Sequence, residues 1–351
     1  MPSLYSSLTD SSGLLYLNGE PKTKRRKTKY ILRGILQSRL TSRWFKFMKD
    51  QELEEAAENH PYLYKKLQLP YLSRTLSASD RLEVLTQHYR FLRRQLSAEV
   101  RRSLFSKGVI LATFETKEGD KLELRLIYSG WCPREGELMV QLQEAKTGSL
   151  FTSISFTLRR NAGGRYEVFI GGLQGRNGGL RRSSAARKDA LVEITRGLYG
   201  LRPKALLLFA LQKMCADWGI AALRAVSNKR HVHRHNKNYP NLHASYDSFW
   251  IESGGVPLAD GNFILPSRFV PRDESTIKPK KRGLYRQRYV LMTEISDQIH
   301  QALQDFRSSH PSASVSSLSE LSSDSALVHS ISRHAALHRW AQKRRQLVTA
   351  A

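Results

Sequence analysis

The chain has 351 residues, of which 40% are hydrophobic and 25% are charged, and its formal net charge is +26. This composition is typical of a soluble globular protein that can bury a sizeable core. No run approaches the ~18 apolar residues that a membrane helix requires, so no transmembrane segment is predicted.

The compartment follows from the N-terminus and from the cysteines. The first twenty residues have no basic start before an apolar core, so a secretory signal is not expected. Cys132 and Cys215 are the two cysteines, far apart and without metal-binding spacing, which favours a reducing compartment. The predicted localisation is the cytoplasm, with a peripheral position at the inner membrane left open.

The positive charge is uneven along the chain. Residues 181–300 carry 21 cationic and 10 acidic side chains, whereas residues 108–180 carry 9 and 8. A basic surface in 181–300 would attract nucleic acid, anionic lipid headgroups or a phosphorylated cofactor. A solvated basic face without a specific partner is the alternative.

The N-terminal third is predicted to be a disordered basic tail followed by helices. The tail covers residues 1–28 and ends in the basic run PKTKRRKTK (21–29). The helical region covers 29–107. Ser77 and Ser79 are candidate N-caps of a long helix. After them, apolar residues recur at spacings of three and four and predict a stripe that packs on a sheet. These residues are Leu82, Leu85, Tyr89, Leu92 and Leu96.

From residue 108 the apolar period changes to two, which predicts an antiparallel meander of five strands. The predicted strands are 109–116, 121–128, 136–144, 149–159 and 165–172. Two helices at about 184–198 and 203–218 and a strand at 220–227 should follow. The predicted fold is therefore α+β, with a core domain at 108–300 packed on the helices. Residues 301–351 read as a Ser-rich flexible extension with a short basic helix at 334–347.

Histidines are concentrated in VSNKRHVHRHNKNYPNLHASYDSFW (226–250). His231, His233 and His235 alternate and could bind zinc with His243, but the flanking cations disfavour a metal. The favoured interpretation is a pocket wall. In this pocket His231 and His233 would be catalytic groups, with Tyr246 as a proton donor and Asp247 as an orienting carboxylate.

Two stretches could bind phosphate, and two could bind nucleic acid. The Gly-rich stretch 171–189 and GLRPK (200–204) each precede a helix, where backbone N–H groups favour anions. In the second, Gly200, Arg202 and Lys204 are the candidate cofactor-binding residues, and tight turns are the alternative. Cations and aromatic residues alternate at 229–246 and 278–289, so a nucleic-acid surface stays open as well.

Several strings in the same order resemble the VirK/YbjX family of Gram-negative bacterial proteins. They are IGGLQG (170–175), LYGLRPKALLLFAL (198–211), AVSNKRHVHR (225–234), ASYDSFW (244–250) and KKRGLYRQRYVLM (280–292). The resemblance runs from about residue 30 to 300. It implies a setting in virulence, envelope stress and tolerance of cationic antimicrobial peptides, without specifying a reaction.

The element order is also similar to the core of acyl-CoA N-acyltransferases. This resemblance implies an acyl-CoA or another phosphate-bearing acyl donor, held at Gly200, Arg202 and Lys204 where the helix 203–218 begins. The usual Arg/Gln-x-x-Gly-x-Gly/Ala loop is absent from the sequence, and an additional helix intervenes. Three hypotheses follow: an acyltransferase-like enzyme acting near the envelope, a non-enzymatic binder of nucleic acid or an anionic surface, and a partner-binding protein with a vestigial cleft.

Overall fold

The computed structural model describes residues 3–16, 22–175, 184–234 and 246–307, without the side chains of 184–188. The chain divides into two compact units, Met1–Ser308 and Ser309–Ala351. The second unit lies outside the described residues, together with the predicted Ser-rich linker and the basic helix at 334–347. The fold below is that of the first unit.

Helices occupy the N-terminal third, including part of the segment for which the sequence indicates a disordered tail. Leu8 is fully buried and fills the space beside Gly34, where an added Cβ would lie 2.4 Å from Leu8 Cδ2. Ser11 Oγ and Tyr30 OH are 2.8 Å apart and join the first two helices. The helices are α1 (Leu4–Leu15), α2 (Thr23–Leu36), α3 (Ser38–Asp50), α4 (Glu54–Asn59), a 3₁₀ helix (Pro61–Gln68), α5 (Ala78–Gln95) and α6 (Ala98–Leu104).

Helix α5 begins and packs as predicted. Ser77 is its N-cap and forms a capping box with Asp80, whereas Ser79 lies inside the helix. All five residues of the predicted apolar stripe are buried. On the neighbouring face, the Leu158 N–H donates to His88 Nδ1 at 3.2 Å, which joins α5 to the sheet.

The sheet has eight described strands in the order β1-β2-β3-β4-β5-β6-β8-β7, and all five predicted meander strands are confirmed. β6 pairs with β5 in parallel, because α7 (Ser184–Gly197) and α8 (Pro203–Asp217) connect the two strands. The other described pairs are antiparallel. The strands are β1 (Val109–Glu115), β2 (Lys121–Tyr128), β3 (Leu138–Glu144), β4 (Leu150–Arg160), β5 (Tyr166–Gly175), β6 (Ala222–Ala225), β7 (Val256–Pro257) and β8 (Phe263–Leu265).

Helices cover the sheet. Residues 152–158 of β4 are buried without interruption, so both faces of this strand are covered, and α5 and α8 both pack against it. Helix α9 (Tyr246–Glu252) precedes β7, and a 3₁₀ turn (Glu274–Thr276) leads into α10 (Pro279–Asp305).

Helix α10 packs along β1, the first strand of the sheet. The Gln298 Oε1 atom accepts the Thr113 N–H at 2.9 Å, and the Phe306 carbonyl accepts the Ser97 N–H at 2.9 Å. Residues 301–305, assigned from the sequence to the extension, therefore continue a helix of this unit. Within the described residues, no helix combines the length and apolar character needed to cross a membrane.

Candidate functional site

The candidate site lies where the parallel strands β5 and β6 separate. Their pairing runs from Glu167 beside Ala222 to Ile170 beside Ala225, and ends with the Val226 N–H donating to the Ile170 carbonyl. Beyond this point β5 continues to Gly175 with β4 on one side. Separation of a parallel pair leaves a cleft at the carboxyl ends of the strands, the usual location of ligand sites in such sheets.

Glu135, from the loop between β2 and β3, lies against β5 beyond this point and is 2% exposed. Gly171 and Gly172 of β5 lie directly against it. An added Cβ at Gly171 would lie 2.0 Å from the Glu135 carbonyl oxygen, and one at Gly172 would lie 1.9 Å from Glu135 Oε2. A register shift between β4 and β5 at this point makes Gly171 the additional residue of a bulge. The IGG string is therefore explained by the close approach of Glu135.

Polar side chains from three segments surround the Glu135 carboxylate. Gln174 Nε2 donates to its two oxygens at 2.8 and 3.0 Å. His231 Nε2 and His233 Nε2 lie 3.5 and 3.8 Å from Oε1. The Tyr246 hydroxyl accepts from Gln174 Nε2 and from the Leu173 N–H, both at 3.4 Å. We call Glu135, Gln174, His231, His233 and Tyr246 the Glu135 cluster.

A hydrogen bond between the two histidine residues defines the proton position on His231. His231 Nδ1 accepts the His233 N–H at 3.3 Å, so a neutral His231 carries its proton on Nε2, facing Glu135. His231 is 1% exposed, whereas the His233 side chain is 16% exposed. Burial lowers the pKa of His233 to about 4, against the opposing effect of Glu135. His233 is therefore neutral at pH 7 and can accept a proton.

Two weak acids, Tyr246 in the cluster and Cys132 beside Glu135, keep their protons. Burial, and then the charge of Glu135, raise the pKa of the Tyr246 hydroxyl far above its ordinary value. The same two causes raise the pKa of the Cys132 thiol. At neutral pH Tyr246 is therefore a protonated phenol and Cys132 a protonated thiol.

Helix α9 holds Tyr246 in place. The ring of Tyr246 stacks on Trp250 with centroids 6.2 Å apart, and Trp250 Nε1 donates to the Val226 carbonyl at 2.9 Å. Asp247 Oδ1 accepts the Asn228 N–H at 2.8 Å, while Asn228 Oδ1 accepts the Tyr246 N–H at 3.0 Å. The orienting carboxylate expected at Asp247 thus contacts backbone, and Glu135 is the carboxylate next to the imidazoles.

Of the predicted cofactor-binding residues, Arg202 lies at the other end of α9 and Gly200 lies beside α10. Arg202 donates to Glu252 at 2.7 Å. Glu252 is six positions after Tyr246 in the helix, which is about 9 Å along the axis. Gly200 has φ +73, and an added Cβ would lie 2.9 Å from Arg288 Nη2. Burial, and then Arg202, lower the pKa of Lys204. Arg202 is therefore separated from the Glu135 cluster by the length of α9.

Sequence reasoning missed Glu135 and Gln174. Glu135 lies far upstream of the histidines, and its acidic neighbourhood REGE resembles a solvated turn. The adjacent glycines in IGGLQG were the available signal, since paired glycines within a strand indicate close approach of another group. In the part of the chain that the structure describes, no group of three or more His, Cys, Asp or Glu could hold a metal ion. His235 and His243 lie outside that part.

The chain belongs to the family described as "Protein of unknown function (DUF535)", whose model matches residues 19–301. It is 30% identical over 279 residues to the "Uncharacterized protein YbjX" of Escherichia coli, covering 78% of this chain and 82% of that protein. An "Uncharacterized protein" of Haemophilus influenzae is 22% identical over 231 residues, covering 66% of this chain and 74% of that protein. The family predicted from the five strings is thereby confirmed.

Solved structures of a "cAMP-binding acyltransferase from Mycobacterium smegmatis" show a weak likeness to this chain. One is 12% identical with a TM-score of 0.30, covering 61% of this chain and 60% of that chain. A mutant form is 11% identical with a TM-score of 0.27, covering 69% of this chain and 66% of that chain. Scores this low define neither a common fold nor an activity.

Proposed function

We propose that the chain is an acid–base enzyme that transfers an acyl group from a phosphate-bearing thioester to an amine or hydroxyl acceptor. The observation that carries the proposal is the Glu135 cluster. A buried glutamate, a neutral imidazole and a protonated phenol lie together at the end of a parallel strand pair. General acid–base catalysis requires groups in different protonation states within contact distance of each other.

The proposed step moves one proton and exchanges one bond. The acceptor nitrogen or oxygen attacks the carbonyl carbon of the thioester, a new C–N or C–O bond forms, and the C–S bond breaks. His233, supported by Glu135, takes the acceptor's proton and then delivers it to the leaving sulfur. Tyr246 keeps its own proton and donates a hydrogen bond to the developing negative charge. The site returns to its starting protonation state.

Direct transfer is favoured over a covalent enzyme intermediate. Cys132 is the cysteine nearest the cluster in the sequence, and its raised pKa leaves it as a thiol, which is a weak nucleophile. The donor's phosphates would lie at Gly200, Arg202 and Lys204, where Arg202 would exchange Glu252 for phosphate. Following the VirK/YbjX resemblance, we place the acceptor among envelope components and the protein in the cytoplasm or at the inner membrane.

The proposal is tested with acetyl-CoA and longer acyl-CoA donors on the full chain. Each donor that binds should raise the thermal midpoint, since a ligand at about 100 times its Kd stabilises the folded state by about 2.7 kcal/mol. Glu135→Gln should leave this shift in place while slowing release of free CoA thiol by about 100-fold or more. A chain that no acyl-CoA stabilises would contradict the proposal.

The donor site has a matched pair of variants. Arg202→Ala removes an exposed guanidinium that pairs with an exposed glutamate, and Arg286→Ala removes another, paired with Glu274. Both pairs are at the surface and contribute at most about 1 kcal/mol to folding. We expect Arg202→Ala to weaken donor binding and Arg286→Ala to leave it unchanged. Equal donor affinity in the two variants would remove Arg202 from the site.

A second candidate function, binding of a nucleic-acid backbone, is supported by a cleft of about 330 Å³ whose lining includes Arg43, Arg90, Arg94 and Arg160. Arg90 lies over Phe47, with 5.5 Å from its Cζ to the ring centroid, and this contact orients the guanidinium. Affinity for a short DNA duplex should fall steeply between about 50 and 200 mM salt. Replacing Arg90 and Arg160 with Gln should make the affinity for DNA less dependent on salt. An unchanged salt dependence would exclude this cleft as the DNA-binding site.

A further inference from the structure

A second cavity, of about 360 Å³, lies between the helices α4 to α6 and the sheet. Its inner wall includes His88 and Tyr89 of α5, Tyr128 at the end of β2, and Glu137 just before β3. Phe105 adds a further aromatic ring, with its centroid 4.7 Å from that of Tyr128. None of the residues that line this cavity belongs to the Glu135 cluster, so a ligand here would use different groups.

His88 presents a buried hydrogen-bond donor. Its Nδ1 accepts the Leu158 N–H, and burial, followed by the charge of Lys66, lowers its pKa to about 3. The neutral ring must therefore carry its proton on Nε2. Nε2 is buried and has no hydrogen-bond partner among the described residues. An unsatisfied buried donor of this kind is costly in a folded protein and is expected to have an acceptor.

Tyr128 presents a second buried hydrogen-bond donor. Its hydroxyl is also buried and has no hydrogen-bond partner in the described part of the chain. Burial, and then the charge of Glu137, raise its pKa well above the ordinary value, so the hydroxyl keeps its proton. Two residues that line one cavity therefore each carry a protonated donor, and neither donor has an acceptor among the described residues.

The charges around the cavity indicate a neutral ligand. At the inner wall, Glu137 accepts from Lys66 and from the Tyr89 hydroxyl, so its charge is already compensated. The rest of the lining includes three acidic side chains and three arginines, which balance each other. They are Glu52, Glu55, Glu99, Arg93, Arg101 and Arg102. Neither end of the cavity favours an anion or a cation.

We propose that this cavity is a binding site for a neutral aromatic molecule with a carbonyl oxygen. The oxygen accepts hydrogen bonds from His88 Nε2 and the Tyr128 hydroxyl, and the ring packs against Phe105 and Tyr89. The volume is within the range of small-molecule sites, which combine mostly apolar walls with a few polar groups that fix orientation.

Two probes of nearly the same shape test the proposal: acetophenone, and α-methylstyrene, in which a methylene group replaces the carbonyl oxygen. Dissociation constants for each are measured by calorimetry on the full chain and on Tyr128→Phe, so that differences in probe hydration cancel. Tyr128→Phe should weaken the binding of acetophenone by about 2- to 12-fold, which corresponds to the loss of one hydrogen bond. The same substitution should not weaken the binding of α-methylstyrene.

Two further variants locate the site. Tyr64→Phe removes the hydroxyl of a tyrosine that is not in the cavity lining and should leave both affinities unchanged. Ala56→Phe narrows the cavity at α4 and should weaken the binding of both probes. This test stands even where Tyr128→Phe folds poorly. The proposal is overturned if neither probe binds the unaltered chain, if Tyr128→Phe weakens both equally or neither, or if Ala56→Phe changes nothing.

Discussion

In β5, two adjacent glycines lie against Glu135, and each leaves space that a Cβ atom would otherwise fill. This close approach lets a carboxylate from a distant loop meet Gln174 and the two histidines. Neither glycine has a positive φ. Their role is to leave room for Glu135, and left-handed backbone is not required of them.

Gly172→Ala should therefore destabilise the protein by about 1–3 kcal/mol, the typical effect of inserting a methyl group into a filled space. Its Cβ would lie 1.9 Å from Glu135 Oε2, so the carboxylate must shift from its present position. Urea unfolding measures the loss of stability, and loss of acyl transfer should accompany it.

Gly175→Ala is the matched control in the same strand. No described atom lies within 4 Å of a Cβ added there, so stability should change little. If Gly172→Ala unfolds at the same urea concentration as Gly175→Ala, the explanation of the IGG string is wrong.

At the residue level, part of the candidate site could be predicted from the sequence. His231, His233 and Tyr246 were found because they lie close together in one short segment. Glu135 and Gln174 come from other segments, and only the separation of β5 from β6 brings them to the histidines. Asp247 illustrates the converse, because proximity in sequence placed it in the site while its hydrogen bond goes to the backbone of Asn228.

Among the elements, the 3₁₀ helix and the sheet are joined by the buried pair Lys66–Glu137. Both side chains are fully buried, and the Lys66 ammonium also donates to the Pro133 carbonyl at 2.6 Å. Burial lowers the pKa of Lys66, while Glu137 opposes this effect. The pair holds the helical layer over the start of β3.

Lys66→Met should lower the free energy of unfolding by about 3–5 kcal/mol, because Glu137 would be left as an uncompensated buried charge. The double variant Lys66→Met/Glu137→Leu should recover much of that loss, since no buried charge remains. Denaturant unfolding of the two single variants and the double variant measures the coupling. A double variant as unstable as Lys66→Met would show that the charge is not the cause.

The elements themselves were largely predictable, and the exceptions have physical reasons. Strands β1 to β5 alternate strongly enough to be recognised, and α5 has a capping box and a continuous stripe. Helix α1 was missed because LYSSLTDSSGLL is rich in serine, and its fold depends on Leu8 meeting Gly34. Tertiary contact of this kind overrides weak local propensity.

For the whole molecule, two buried histidines should make stability depend on pH. The pKa of His88 is lowered to about 3 and that of His233 to about 4, both chiefly by burial. The unfolded chain binds protons near the ordinary pKa of about 6.5, where the folded chain does not. The stability that these two histidines contribute is therefore fully present above pH 6.5 and is lost as the pH falls towards 4.

The expected slope is up to about 1.4 kcal/mol per pH unit for each histidine. Urea midpoints measured at intervals from pH 7 to pH 4.5 would record it. His233→Asn, which removes one of the two titrating groups, should flatten the profile. Identical profiles for His233→Asn and the unaltered chain would show that His233 does not contribute.

Contact between α10 and β1 has a consequence for how the protein is made. Thr113 and Gln298 are 185 residues apart, so a chain emerging from the ribosome completes the meander long before α10 exists. During that interval one edge of β1 presents unpaired backbone groups, which invite pairing with another nascent chain. We infer that α10 protects this edge of β1 from aggregation, and that early termination before Pro279 yields insoluble rather than merely inactive product.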